Sequence, residues 1–159
     1  MIPFLPIPLL VITVGLLIHA ELTDRQRRVY LVKPLSTVLV MAVAALALTR
    51  AGTSASYTGA ILLGLLFSLG GDVALMFTSD QAFLAGVGSF LLAQIVYGRT
   101  FAAWGGLEGQ LLVPGIIIGL VIIVFYGWLY RHLGSMRMPV GVYAVVISFM
   151  LWMAIGLLS

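Results

Sequence analysis

The sequence predicts an all-α integral membrane protein, a bundle of six transmembrane helices. Three observations carry this. Of 159 residues, 62% are hydrophobic and only 8% are charged, whereas a soluble domain carries about a quarter of its residues as charges. Mean hydropathy is +1.20, so the chain has too little polar surface to cover itself in water. The apolar residues also fall into six long runs of about 20, the length a helix needs to cross the hydrocarbon layer. Barrel strands would read as short alternating segments. Unbroken runs favour helices, because each helix satisfies its own backbone in lipid.

The first run, 2–19, has Pro3, Pro6 and Pro8 near its start, where proline is tolerated best. No basic residue precedes it, so it reads as a retained helix rather than a cleaved signal peptide. The remaining runs are 31–48, 58–77, 82–104, 111–130 and 139–158. The connections between them are short. AELTDRQRR (20–28) is the only markedly charged one, RAGTSAS (50–56) is small and polar, and TSDQ (78–81) is a tight turn. GGLEGQ (105–110) is glycine-rich and RHLGSMRM (131–138) is basic. None is long enough to form a domain, so 1–159 is expected to be a single helical domain.

Lysine and arginine set orientation. Arg25, Arg27, Arg28, Arg131 and Arg137 share one side, with Lys33 just inside the second run. Arg50 and Arg99 fall at the other side. The expectation is a multi-pass protein of the bacterial inner membrane with loops 20–30 and 131–138 cytoplasmic and both termini outside.

Several chemistries find no support. Cysteine is absent, which removes disulfides and thiolate metal sites. His19 and His132 are far apart, so a histidine metal site is not indicated. The basic balance, pI about 9.6, fits loop residues against lipid headgroups rather than nucleic acid. No phosphate loop, metal-ligand spacing or Ser-His-Asp arrangement is present. SLGGD (68–72) lies inside a spanning helix and not after a strand, so it is not a nucleotide fingerprint. No cofactor is implied.

Asp72 is the residue that needs explaining. An aspartate at the centre of a membrane helix costs roughly 2.5–3.5 kcal/mol on insertion scales and marks a functional site by default. It persists only if paired, protonated or wet. Gly64, Ser68 and Asp72 are spaced by four and share one helix face. Gly70 and Gly71 adjoin that face and let another helix approach. Lys33, four residues before Thr37 with Ser36 beside it, falls at a similar depth on the second run, so a Lys33–Asp72 pair would account for both charges. A structural pin between two helices is the competing explanation. Gly86, Phe90, Gln94 and Tyr97 form one face of the fourth run, where Gln94 and Tyr97 could line a polar cavity or join helices by hydrogen bonds. Tyr143 opens the sixth run, where a tyrosine is commonly an interfacial anchor. Trp104, Trp128, Tyr126 and Tyr130 read as belt residues.

Four blocks resemble, in order and spacing, the YhhN family, which includes the animal transmembrane lysoplasmalogenases. They are KPLSTVLVM (33–41), FSLGGDVALM (67–76), FLAGVGSFLLAQIVYGRTF (83–101) and PVGVYAVVISFM (139–150). The resemblance implies an eight-helix membrane enzyme that cleaves the vinyl-ether bond of lysoplasmalogens. The products are a fatty aldehyde and a glycerophospho-base. It implies Asp72 as the catalytic acid, with Lys33, Tyr97 and Tyr143 as the family's lysine and tyrosines. Ser68 and Gln94 join these as substrate-binding candidates. The chain departs from the family in having Gln94 where histidine is common. It also ends at Ser159, before the family's two further helices and second aspartate, so either a truncated copy or a short relative with incomplete catalytic machinery is expected.

Vinyl-ether cleavage begins with protonation of the double bond. Water attacks the resulting oxocarbenium ion and the hemiacetal collapses. Asp72 would give the proton. A second carboxylate would naturally activate the water, but the sequence supplies none in the membrane. Lys33 would favour the ionised form of Asp72 or would hold the substrate phosphate at the interface. The expected partners are a lysophospholipid substrate and membrane lipids. Two other classes fit the same residues: a transporter with Asp72 as a proton or cation site, and a non-catalytic bundle.

Overall fold

The computed structural model describes residues 26–49, 52–105 and 112–158, with side chains from Lys33 onward, and isolated helical positions between 8 and 18. Every regular element described is helical. They are α1 (Gln26–Ala47), α2 (Ala55–Ala74), α3 (Asp80–Gly105), α4 (Leu112–Tyr130) and α5 (Arg137–Gly156), with a single 3-10 turn at Gly134–Met136 before α5. The chain divides into two units, Met1–Ala93 and Gln94–Ser159, and each is taken by itself.

The membrane class is borne out. Four helices, α2 to α5, are long and apolar enough to cross a bilayer. The expected six spans are not all present among the described residues. In α1 the described apolar portion is Lys33–Ala47, shorter than a full span. The expected first span, 2–19, lies outside the described residues apart from the isolated positions. α4 makes the class plainest. None of its residues is buried, and Ile116, Leu120, Val124 and Trp128 all stand exposed. A helix that is apolar all round and unburied belongs in lipid.

In the first unit α1 packs on α2, and glycines let α2 and the start of α3 approach closely. Gly52, at φ +85°, turns the chain between α1 and α2 through the left-handed region that glycine tolerates. Ser54 then caps α2 by accepting from Tyr57 N at 3.3 Å. Ser79 accepts from Ala82 N at 3.2 Å as α3 begins, with Asp80 in its first turn, where the helix dipole favours an acid. The two helices run antiparallel, and their seam is glycine. A Cβ on Gly71 would lie 2.7 Å from the Phe90 ring, and one on Gly86 would lie 2.7 Å from Leu75. Ser89 Oγ donates across the seam to Phe67 O at 2.6 Å. Small residues that admit a neighbouring backbone are the usual means of joining helices in lipid.

The second unit repeats the device with parallel helices. Gly98 meets Phe149 and Met150. Seven residues further along both helices, a Cβ on Gly105 would lie 2.9 Å from the backbone of Gly156. Gly115 on α4 takes the Trp152 ring at a similar distance. Met153 is 1% exposed and is the anchor of this packing.

Candidate functional site

Asp72 lies near the end of α2 and is buried, at 8% exposure. Its two carboxyl oxygens have different partners on α1. Thr37 Oγ1 donates to Oδ2 at 2.6 Å. Lys33 Nζ stands 3.7 Å from Oδ1. The first distance is a short hydrogen bond to an anion, while the second is beyond hydrogen-bond reach and is an ion pair held by charge alone. Lys33 keeps a third of its side chain exposed, against 11% for Asp72. The cation is therefore the exposed member of the pair and the carboxyl the buried one.

Local sequence explains the arrangement. Lys33 and Thr37 are one turn apart and project from the same face of α1. Pro34 lies between them inside the helix and deprives residue 30 of its usual amide partner. Ser36 Oγ donates to Lys33 O at 2.7 Å. Thr37 Oγ1 also lies 3.5 Å from that carbonyl, but a hydroxyl has one hydrogen and the 2.6 Å acceptor takes it. On α2, Gly71, next to Asp72 in the chain, lets the Phe90 ring approach the helix backbone.

The structure thus brings Asp72 and Lys33 together. Ser68 lies one turn from Asp72 on the same helix and donates to Gly64 O at 3.2 Å. Gln94, Tyr97 and Tyr143 belong to the second unit. There Tyr97 stacks on Phe101, with ring centroids 6.2 Å apart, and Tyr143 is half-buried on α5. Gln94 Oε1 is buried without a hydrogen-bond partner among the described residues. The residue that the candidate set lacked is Thr37, the nearest partner of Asp72. Its spacing of four from Lys33 was the available signal.

A carboxyl in this setting can exchange a proton with a bound molecule. It can also face a developing cation, and Lys33 can reach an anion at the edge of the site. The family model for YhhN matches residues 28–159, most of the chain and all of α2 to α5. The chain belongs to the YhhN family. Among curated proteins, this YhhN member is similar to the bovine (Bos taurus) and human (Homo sapiens) proteins named lysoplasmalogenase TMEM86A. Each is 31% identical over 97 residues, which is 60% of this chain. The matched stretch is 39% of each relative's length. No solved structure gives a significant match to this YhhN protein.

Proposed function

We propose that this YhhN protein is a membrane hydrolase of lysoplasmalogens, with Asp72 as its catalytic carboxyl. The observation that carries the reading is the membrane-embedded acid held between Thr37 and Lys33. Family membership and the names of the two relatives support the substrate class. On the same reading, the chain works as a multi-pass bundle in which residues 2–19 and α1 add two spans to α2–α5, with the basic loops cytoplasmic.

In the proposed reaction, protonated Asp72 gives its proton to the vinyl carbon distal to the ether oxygen. The carbon bonded to oxygen becomes the oxocarbenium centre. Water adds there and returns one proton to the carboxylate. The hemiacetal then loses the glycerol oxygen, giving a fatty aldehyde and the glycerophospho-base. One water is consumed and Asp72 ends as it began. The substrate phosphate draws Lys33 away from the carboxyl, which leaves Thr37 as the partner of Asp72 during the proton transfer. Ser68, one turn away, is positioned to contact the same substrate.

The test is aldehyde release from a 1-alkenyl lysophospholipid by the purified protein, run beside Asp72→Asn. Turnover by the native chain and none by the variant is the expected result. Equal turnover by both would remove Asp72 from the chemistry.

A further inference from the structure

The hairpin of α4 and α5 carries a second feature that shares no residue with the acid and its partners. A groove of about 400 Å³ opens between the two helices, lined by Ile122 and Tyr126 on one side and Met138, Gly141, Val142 and Val145 on the other. Its walls are almost wholly apolar, and it widens onto the exposed face of the hairpin. One end is closed by a polar clasp. Tyr126 Oη donates to Arg137 O at 2.9 Å. This is possible because Gly141 has no Cβ, which would lie 2.9 Å from that oxygen. Arg137 in turn donates through Nε to Tyr130 O at 3.2 Å. Its guanidinium lies over the Tyr130 ring, 4.3 Å from the centroid.

The clasp fixes the Arg137 guanidinium over Tyr130, on the residue before Met138 of the slot wall. Arg137 spends one of its five N–H donors on the Tyr130 carbonyl, and the residue is exposed. Arg131, in the turn that follows α4, is exposed at the same end of the hairpin. Trp128 and His132 flank it, with ring centroids 5.9 Å apart, and a tryptophan in this position suits the headgroup region. Apolar groove, oriented guanidinium and interfacial aromatics together match a ligand with an anionic head and a hydrocarbon tail.

We infer that the α4–α5 groove binds one anionic phospholipid. One acyl chain lies along Ile122, Val142 and Val145, and its phosphate rests on Arg137 and Arg131. Charge complementarity selects the headgroup, because a zwitterionic lipid of equal chain length fills the same slot but brings no net charge to the arginines. The site holds a lipid of the surrounding bilayer and is independent of the catalytic reading of Asp72.

The experiment is native mass spectrometry of the full chain in a neutral detergent. It is titrated with 1-palmitoyl-2-oleoyl phosphatidylglycerol and, in parallel, with the phosphatidylcholine of the same chains. One phosphatidylglycerol should be retained about tenfold more tightly than phosphatidylcholine. Arg131→Gln and Arg137→Gln should each weaken phosphatidylglycerol about fivefold, the weight of one cation near an anionic lipid, and leave phosphatidylcholine unchanged. Arg131 makes no hydrogen bond that the fold relies on, so its variant answers even if Arg137→Gln unfolds. Val142→Trp, which fills the slot, should weaken phosphatidylglycerol as well. Equal retention of the two lipids, or undiminished phosphatidylglycerol in Arg131→Gln, overturns the assignment. So does displacement of the lipid by millimolar glycerol phosphate, which would make this a site for free phosphate.

Discussion

Thr37 and Asp72, 35 positions apart, are joined by a 2.6 Å hydroxyl–carboxyl bond that ties α1 to α2. The bond is shorter and better directed than the 3.7 Å ion pair beside it. In a buried setting, a directed hydrogen bond to a charged group is worth more than a loose contact with a partly exposed cation. Thr37→Val should therefore destabilise the protein by about 1.5–3 kcal/mol, while Thr37→Ser should retain most of that. Thermal melting of the two variants in one detergent decides this. A Val variant as stable as the native chain would show that the bond contributes nothing.

On the proposed reading Lys33 holds the substrate phosphate, so its removal should act on recognition. With Lys33→Gln, KM for a lysoplasmalogen should rise about tenfold or more, the weight of one charge-assisted contact. A phosphate-free alkenylglycerol should keep its KM. Steady-state kinetics on the two substrates separate the cases. An equal rise for both would make Lys33 only a counter-charge for Asp72.

Asp72→Asn keeps the size of the side chain and leaves an acceptor oxygen for Thr37. It removes the group that gives and recovers a proton. The expected loss in aldehyde release is at least about 100-fold, the usual weight of a general acid, with membrane insertion and melting temperature close to native. Collapse of expression together with activity would point to a structural pin instead.

Two glycines on α3 offer a paired test of the helix seam. A side chain at Gly86 meets Leu75 at 2.7 Å and the Gly71 carbonyl at 3.4 Å, whereas at Gly88 nothing lies within 4 Å. Gly86→Val should cost about 1–3 kcal/mol through overpacking, and Gly88→Val should be close to neutral. Comparable melting temperatures for the two variants would mean that the α2–α3 seam is looser than these distances indicate.

The helical membrane class was legible because composition alone enforces it. A run such as 111–130 has no charged or amide side chain to put toward water, and α4 is correspondingly unburied. Asp72 and Lys33 were also legible, since each charge is costly in an apolar run and the two relieve one another. Thr37 was not, for a physical reason. Hydroxyls in membrane helices usually bond the carbonyl one turn back, as Thr100 does to Val96 O and Ser148 to Ala144 O. The spacing from Lys33 puts Thr37 on the right face, but nothing in the sequence says that its hydroxyl turns away from its own helix, as Ser89 Oγ also does. The extent of α1 was hidden similarly. Hydropathy registers apolar length, and the helix begins at Gln26 among arginines that a hydropathy window rejects. The α4–α5 groove depends on Gly141 lying opposite Tyr126, a pairing between helices that spacing along one chain does not encode.

The single hydrogen of Thr37 has one further implication. It points to Asp72 only while that carboxyl accepts. When the acid carries a proton, the polarity of the bond reverses, and the threonine's own hydrogen is released toward the Lys33 carbonyl 3.5 Å away. Protonating one helix thus re-aims a hydroxyl on its neighbour, in the turn next to Pro34. The carbonyl stretch of Lys33, isotopically labelled, would report the charge on Asp72 from the adjoining strand of backbone.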